Sequence, residues 1–409
     1  MVRRYLTLES QRTISTFFAS LHYESTPARP VKMTTNLIHL YRPANLDFSA
    51  LRADDRMLEA WSMSVGESWR SGPLDKRIMQ EQVRLVSMVE GFFPCTILFA
   101  LLRLRIFEHI GIDGKSVQEL AAASGAEPRT LIRLLNAGAM LELLETMDGK
   151  TYQVSPRLRD FLLPSGGTTY VGDWLRLQDE FAGAFYQLDE AILKSGPTID
   201  PAVYLGVDQQ RTRQYVLAMH NYATLRGREL VHYLDTTGCK TLLDLGCGAG
   251  TYAYLLGMRN PDLQLHLADM PEVLAVAREL LTKNPVPNQV HFLPLDAGYD
   301  EIPGSYDLIL VSNMLHCFDA ATRSQLLERL YRATNPGGSL VVQAQYLQED
   351  HRGSRWAIFV DIALLCTTRC GCNHTVNETH RWLSDAGFRD IEHCSMSVYG
   401  ANSFVRGYK

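Results

Sequence analysis

Residues 242–252 read Leu242-Leu243-Asp244-Leu245-Gly246-Cys247-Gly248-Ala249-Gly250-Thr251-Tyr252. An apolar run ends in a turn with glycine at every second position and passes straight into a helical stretch, the pattern of strand, tight turn and helix. Without a Cβ, Gly246, Gly248 and Gly250 let the backbone turn sharply and lie against a ligand that a side chain would push away. The dinucleotide pattern G-x-G-x-x-G does not fit, because the third glycine comes one residue early. Asp244 sits two positions before the first glycine, and no later stretch reads as a pyrophosphate clamp. An adenosyl ligand fits better.

A second apolar run, Leu263-Gln264-Leu265-His266-Leu267-Ala268, delivers Asp269 nineteen positions after Gly250. A strand places a carboxylate there to accept both hydroxyls of a ribose. A third strand, Val290-His291-Phe292-Leu293-Pro294-Leu295, ends at Asp296-Ala297, and a fourth, Tyr306-Asp307-Leu308-Ile309-Leu310-Val311-Ser312, is nearly all apolar. Strands covered by helices on both faces have that composition. The fourth strand brings Asn313-Met314-Leu315-His316 to the carboxyl edge of the sheet, where open α/β sheets bind ligands. A helix over 320–332, the turn Asn335-Pro336-Gly337-Gly338 and the strand Ser339-Leu340-Val341-Val342-Gln343 follow.

Asp-Leu-Gly-Cys-Gly-Ala-Gly, Asp269-Met270-Pro271 and the Pro-Gly-Gly turn together resemble the class I S-adenosylmethionine-dependent methyltransferases. The likeness is to the small-molecule O-methyltransferases that include plant caffeate and flavonoid enzymes and bacterial relatives. It covers roughly residues 80 to 409. It implies a Rossmann-like α/β domain with a seven-stranded, mostly parallel sheet, preceded by an α-helical winged-helix dimerisation domain. It implies S-adenosyl-L-methionine as cofactor, held by Asp244, Gly246, Gly248, Gly250, Asp269, Met270 against the adenine, Asp296, Ala297 and Asn313. His316 stands where the family's general base stands, although the family's His-Asp-Trp reads His316-Cys317-Phe318 here. An imidazole with a pKa near ~6.5 is a usable base at neutral pH. The family's Gly-Lys-Glu-Arg-Thr, whose Glu orients the His, is replaced around Gly371-Cys372-Asn373-His374-Thr375, so Asn373 falls at the Glu position. An amide hydrogen-bonds an imidazole but does not balance its charge, so the base is expected to titrate close to the free value. Ala218-Met219-His220, with Tyr215 and Tyr222, falls where relatives line the acceptor site, and His220 offers a second imidazole; Cys317 would join that wall. Some relatives on this scaffold methylate carbon, and a few transfer no methyl group.

The N-terminal half has its own logic. Ser116 with Glu119 three residues on forms a capping box, the helix stops at Gly125, and a second helix over 127–139 carries Leu131, Leu134 and Leu135 on one face. Asp148-Gly149 between Leu141-Leu143-Leu144 and Tyr152-Val154 is a hairpin signal. Helix, turn, helix and wing are also the plan of DNA-binding repressors, but Arg129 and Arg133 share their helix with Glu127, thin support for phosphate contacts. Residues 80–104 read as helical and more apolar than one domain needs to bury, which suits a homodimer. Long linking helices are expected over 168–195 and 209–234.

The expected division is an N-terminal extension over 1–75, a winged-helix dimerisation domain over 76–200, linking helices over 201–235 and a cofactor domain over 236–409. Residues 1–32 are basic and rich in Ser, Thr and Arg, but Glu9 and Glu24 count against a transit peptide, and Met33 would serve equally as a start. Forty Lys and Arg against forty-five Asp and Glu leave a net charge of −5, which favours neither nucleic acid nor an anionic membrane. The most apolar stretch, 92–104, is short for a membrane span and contains Arg103, so no insertion is expected. Eight cysteines without paired spacing point to a reducing compartment, the cytoplasm. Cys366, Cys370, Cys372 and His374 offer four soft ligands, yet their spacing matches no usual zinc knuckle, and no metal is expected. The acceptor reads as a small molecule, aromatic, polyketide-like or pigment-like.

Overall fold

Period-two burial on the central strands sets the architecture. The computed structural model describes residues 76–200, 208–396 and 402–409; the expected extension over 1–75 and the first residues of the linking segment lie outside them. In the C-terminal half, β4 (Thr241–Leu245), β5 (Gln264–Asp269), β6 (Val290–Pro294), β7 (Tyr306–Ser312), β8 (Thr334–Gln345), β9 (Arg389–Ser395) and β10 (Asn402–Tyr408) form one seven-stranded sheet in the order β6-β5-β4-β7-β8-β10-β9. The first five strands of that order run parallel, while β10 is antiparallel to both β8 and β9.

Alternate residues feed two cores. Leu243, Leu245, Ile309, Val311, Leu340 and Val342 pack with Leu326, Leu327, Leu330 and Leu383. Leu242, Leu265, Leu267, Leu308, Leu310 and Val341 pack on the other face with Leu230, Leu256 and Leu274. Both faces are thus buried, which is why these strands read as continuous apolar runs. The order reverses direction between β4 and β7, so a crevice opens at their carboxyl ends.

In the N-terminal half the structure gives α1 (Lys76–Glu90), α2 (Phe92–Arg103), α3 (Ile106–Ile110), β1 (Lys115–Ser116), α4 (Val117–Ser124), α5 (Pro128–Met140), β2 (Leu144–Glu145) and β3 (Thr151–Val154). The capping box forms as read: Ser116 Oγ accepts the Glu119 N–H, the Glu119 carboxylate accepts the Ser116 N–H, and Gly125 closes α4 at φ 70°. The three short strands pair in the order β1-β3-β2 over a core of Leu120, Leu131, Leu135, Leu144, Tyr152 and Val154. That is the expected winged helix.

Connecting elements are α6 (Arg159–Leu162), α7 (Gly172–Phe185), α8 (Leu188–Lys194) and α9 (Gln209–Tyr233); the cofactor half adds α10 (Thr251–Arg259), α11 (Pro271–Lys283), α12 (Ala320–Ala333), α13 (Arg355–Thr367) and α14 (Val376–Asp385). Three expectations need correction. The helix expected over 168–195 is broken at Tyr186 and Gln187 into α7 and α8. The fifth strand is longer than 339–343, because Thr334 already pairs with Tyr306 and the Pro-Gly-Gly segment is an irregularity between that pair and Leu308 opposite Ser339. The stretch 92–104 is not an isolated short helix: Ile78–Arg103 runs as one helical stretch that is long and apolar enough, by length and composition, to cross a membrane. Its outward face carries Leu85, Val86, Met88, Val89, Phe92 and Phe93, all exposed, while Leu101 and Leu102 are buried in the winged-helix core. An apolar patch of this extent marks a contact surface.

Candidate functional site

The glycine turn is tied to the neighbouring strand end. After β4, Gly246 N–H and Cys247 N–H donate to Ala268 O at 2.8 and 3.2 Å. Gly248 N–H donates to Asp269 Oδ2 and Met270 N–H to Asp269 Oδ1, both at 2.8 Å. The turn requires glycine at its first position: Gly246 has φ 69°, and a Cβ there would lie 2.4 Å from the Met314 sulfur. The 313–316 segment is therefore packed directly on the turn. Above Gly248 a Cβ would meet nothing within 4 Å, so the backbone faces open space.

Two carboxylates lie beneath that space. Asp244 is 1% exposed, and its Oδ2 is buried without a hydrogen-bond partner. Desolvation pushes Asp244 up to about 7, with the Ala253 N–H acting against it and the charge of Asp269 adding to it. Asp269 is pushed up to about 6 by the same burial, opposed by its bonds from Gly248 and Met270. Buried carboxylates with raised pKa and an orphaned oxygen are suited to a ligand that brings positive charge and hydroxyl donors. An adenosyl sulfonium with an amino-acid tail and a ribose is such a ligand, and these residues fit it.

Other expected cofactor residues converge on the same edge. Leu295 N–H donates to Asp269 O at 3.1 Å, which seats Asp296 and Ala297 beside β5. Asp296 Oδ1 accepts the Gly298 N–H at 2.8 Å, and the Ala297 carbonyl is gripped by Arg329 at 2.6 Å. Met270 packs with Val216, Ala249, Val273 and Val276. Asn313 holds a left-handed φ of 49°, fixed by its N–H to Gln343 O at 2.9 Å and its amide to Ser312 Oγ at 3.1 Å. Sequence reasoning missed Arg329 and the buried chain Ser312–Gln343–Asn402, in which Gln343 also reaches Tyr252 Oη.

His316 lies in a single 3-10 turn, Leu315–Cys317, and is 7% exposed. Its ring Nδ1 is sealed and without a hydrogen-bond partner. Burial alone pushes the imidazole down to about 4. The expectation that it titrates near the free value is thereby corrected: desolvation dominates. Asn373 does not reach His316 either. Its N–H donates to Asp361 Oδ1 at 2.7 Å and its amide to Ala357 O at 3.0 Å, both on α13, leaving Oδ1 buried and unpartnered. Another imidazole, His374, is sealed nearby with neither ring nitrogen bonded, and is held well below the usual range, to about 3, by burial, then by His316 and Arg323.

The cysteine cluster does not converge. Cys366 is buried against Ala184 and Ala191, whereas Cys370 and Cys372 are exposed. No group of three or more metal-ligating side chains forms among the described residues. Cys317 remains accessible yet crowded, and that crowding, followed by Cys370, pushes its thiol up to about 12.

The expected acceptor residues on α9 divide. Tyr215 and Met219 pack with Trp174, Leu177 and Phe181. Tyr222 stacks on Trp174 at 4.6 Å and accepts from Trp356 Nε1 at 3.3 Å, with the Arg226 guanidinium over its ring at 4.6 Å. His220 Nδ1 lies 2.8 Å from Oγ1 of Thr251, the first residue of α10, so it also braces the glycine turn. Trp174 and Trp356 are additions that sequence reasoning did not supply.

A doubly wound sheet with a glycine turn, a ribose-type carboxylate on the adjacent strand and an imidazole on the next loop defines a class I methyltransferase. The chain belongs to the O-methyltransferase family: the O-methyltransferase domain matches residues 187–389 and the O-methyltransferase dimerisation domain residues 86–162. It is 26% identical over 329 residues to a 3-hydroxy-5-methyl-1-naphthoate 3-O-methyltransferase of Streptomyces sahachiroi, covering 80% of this chain and 94% of that one. It is 29% identical over 330 residues to the tetracenomycin polyketide synthesis 8-O-methyl transferase of Streptomyces glaucescens, covering 80% and 96%. The fold matches that of human N-acetylserotonin methyltransferase, solved with its cofactor, at TM-score 0.72 and 24% identity over 83% of this chain and 99% of that one. The dimerisation match, which supports a homodimer, begins on the exposed apolar face.

Proposed function

We propose that this chain methylates a hydroxyl of a small aromatic, polyketide-like or pigment-like acceptor with S-adenosyl-L-methionine, His316 receiving the acceptor's proton. The observation that carries the reading is the packing of the His316 segment, through Met314, onto a glycine turn tied to Asp269. When bound, the cofactor supplies an electrophilic methyl group on a sulfonium. Asp269 accepts hydrogen bonds from the ribose hydroxyls, Asp244 balances positive charge, and Met270, Asp296, Ala297 and Asn313 form the rest of the wall around Gly246, Gly248 and Gly250. Burial disfavours the imidazolium, so His316 is a neutral imidazole at neutral pH, with one of its two ring nitrogens able to take a proton. Tyr215, Met219, Tyr222, Cys317 and the indoles of Trp174 and Trp356 shape the acceptor pocket, His220 steadies the turn, and Asn373 steadies the loop beside it. Holding acceptor and methyl in line supplies much of the acceleration.

The proposed division places dimerisation in 76–200, the linking helices in 201–235 and cofactor chemistry in 236–409. Eight free cysteines suit the cytoplasm. Relatives acting on a naphthoate and on a tetracenomycin support a phenolic acceptor. The test is transfer of isotopically labelled methyl from the cofactor to a panel of naphthols and hydroxynaphthoates, with product analysis separating ether from carbon methylation. Carbon-methylated products, or none with a cofactor that binds, defeat the proposal.

Light scattering at micromolar concentration is expected to give twice the chain mass. Leu85→Glu with Val89→Glu should shift it to monomer, since each such side chain contributes about 1.5–3 kcal/mol on full burial. A monomeric wild type would remove the paired assembly.

A further inference from the structure

Three thiols gather beside the His316 turn. Cys317 ends that turn, and Cys370 and Cys372 stand in the segment that leaves α13. All three are free and exposed. The segment is laid against the turn: Cys372 N–H donates to the His316 carbonyl at 3.1 Å, and a Cβ on Gly371 would come within 3.1 Å of the same oxygen. It is held from behind as well, by Gly371 N–H on Thr368 Oγ1 at 2.8 Å and Asn373 N–H on Asp361 Oδ1 at 2.7 Å. Cys370 Sγ thereby lies 3.4 Å from the Cys317 carbonyl oxygen, across fifty-three residues of chain. Only the C, Cα and Cβ atoms separate that oxygen from the sulfur of the same residue. Side-chain rotation therefore brings the two sulfurs within bonding range, with Cα atoms at the separation of about 4.4–6.8 Å that a disulfide uses.

We propose that Cys317 and Cys370 are a modification site, a thiol pair that a low-molecular-weight disulfide oxidises reversibly to an intrachain bond tying the exit of α13 to the His316 turn. The Cys370 thiol gives its proton to solvent and attacks one sulfur of the reagent; the reagent's S–S bond breaks, and one thiolate leaves and is protonated. The Cys317 thiol then gives its proton to solvent and attacks the Cys370 sulfur of the mixed disulfide, expelling the second thiolate, which is protonated in turn. Two protein thiols are oxidised to one disulfide, and the reagent is reduced to two thiols. Proximity drives the second step, because burial and then Cys370 push the Cys317 thiol up to about 12, which leaves it little thiolate for a reagent in solution. In a reducing compartment such a bond is transient and sensing, not structural. Its effect follows from what it joins. α13 carries Trp356, so the tie fixes one acceptor wall against the turn and draws the Cys317 sulfur out of that wall, while Asp244 and Asp269 are untouched. The effect on turnover rests on the methyl-transfer reading above; the cross-link does not.

In the test, the full chain is reduced, freed of reductant and treated with oxidised glutathione. Its intact mass is expected to fall by two hydrogens with no glutathione retained, and peptide mapping to join Cys317 to Cys370. Methyl transfer to hydroxynaphthoates should drop by about 10- to 100-fold, the cost of reacting groups misplaced by up to about 1 Å, while cofactor affinity holds. Dithiothreitol should restore both mass and rate. The oxidised chain should also melt at a higher temperature than the reduced one, because the link constrains the unfolded chain, and this separates locking from damage. Cys370→Ser should keep the basal rate and lose the sensitivity to oxidant; Cys372→Ser should keep both. Retained glutathione, a bond made by Cys372 instead, a Cys370→Ser chain that is still inactivated, or a cross-linked chain as active as the reduced one overturns the inference. A reduced chain that binds cofactor and methylates nothing defeats the methyl-transfer reading and the turnover claim with it, and the peptide map alone then decides the pairing.

Discussion

Substitution of His316 by glutamine is expected to lower turnover by about 100- to 10,000-fold, the range of a positioned base, with cofactor affinity nearly unchanged. Glutamine keeps most of the volume of a buried side chain and a hydrogen-bonding end, so the fold around Leu315 and the 370–374 segment should survive. The loss should be largest with the least acidic acceptor, which depends most on an external base. The pH dependence carries a sign. Burial holds the imidazole down to about 4, so its basic form persists from pH 8 to about pH 5 and is lost as pH falls through 4. A residue titrating at the ordinary value near ~6.5 would instead give an acid limb with its midpoint about half a unit below neutrality. Comparison of kcat for wild type and His316→Gln at saturating substrate decides the role: less than tenfold loss with superimposable pH profiles would make His316 an orienting residue only.

The glycine turn, Asp269 and the winged helix were readable because each is a local pattern. Spacing along the chain fixes which backbone turns after β4, and a Ser with a Glu three residues later closes a helix wherever it occurs. Apolar runs betrayed β4, β5 and β7 because both faces of the sheet are covered. What escaped depends on residues far apart in sequence. Asn373 sits at the position a resemblance assigns to an orienting carboxylate, yet Ala357 and Asp361 on α13 capture it. Gln343 and Asn402 meet across fifty-nine residues, and nothing in either neighbourhood announces the other. β9 was hidden for a different reason: as an edge strand with Arg389, Asp390, Glu392 and His393, it lacks an apolar face of its own. The depth of burial at His316 was equally illegible, since a strand-end histidine is half wet in many sheets and its pKa follows the closure of a loop.

Cofactor affinity should fall by roughly 5- to 150-fold in Asp269→Ala, corresponding to about 1–3 kcal/mol for a buried charged hydrogen-bonding group. The carboxylate acts twice, accepting the Gly248 and Met270 N–H groups that shape the turn and offering its remaining lone pairs to ribose hydroxyls. Asp269→Asn separates the two roles, because the amide oxygen replaces one acceptor while the nitrogen opposes a backbone N–H. Asp244 adds a pH dependence. In the ligand-free protein it stands at about 7 and Asp269 at about 6, both raised by desolvation, so protons occupy them as pH falls from 8 toward 5. A cationic ligand binds the ionised forms and therefore expels those protons. Affinity for S-adenosylmethionine should be greatest near pH 8 and decline through pH 7 and 6, with net proton release near pH 6.5 that disappears above pH 8. Calorimetry in two buffers of different ionisation enthalpy measures that release directly, and Asp244→Asn should abolish the upper part of it. An affinity that stays flat from pH 8 to 5.5, with no buffer dependence, would mean that the two carboxylates do not hold the ligand's charge and that its positive end lies elsewhere on the sheet edge.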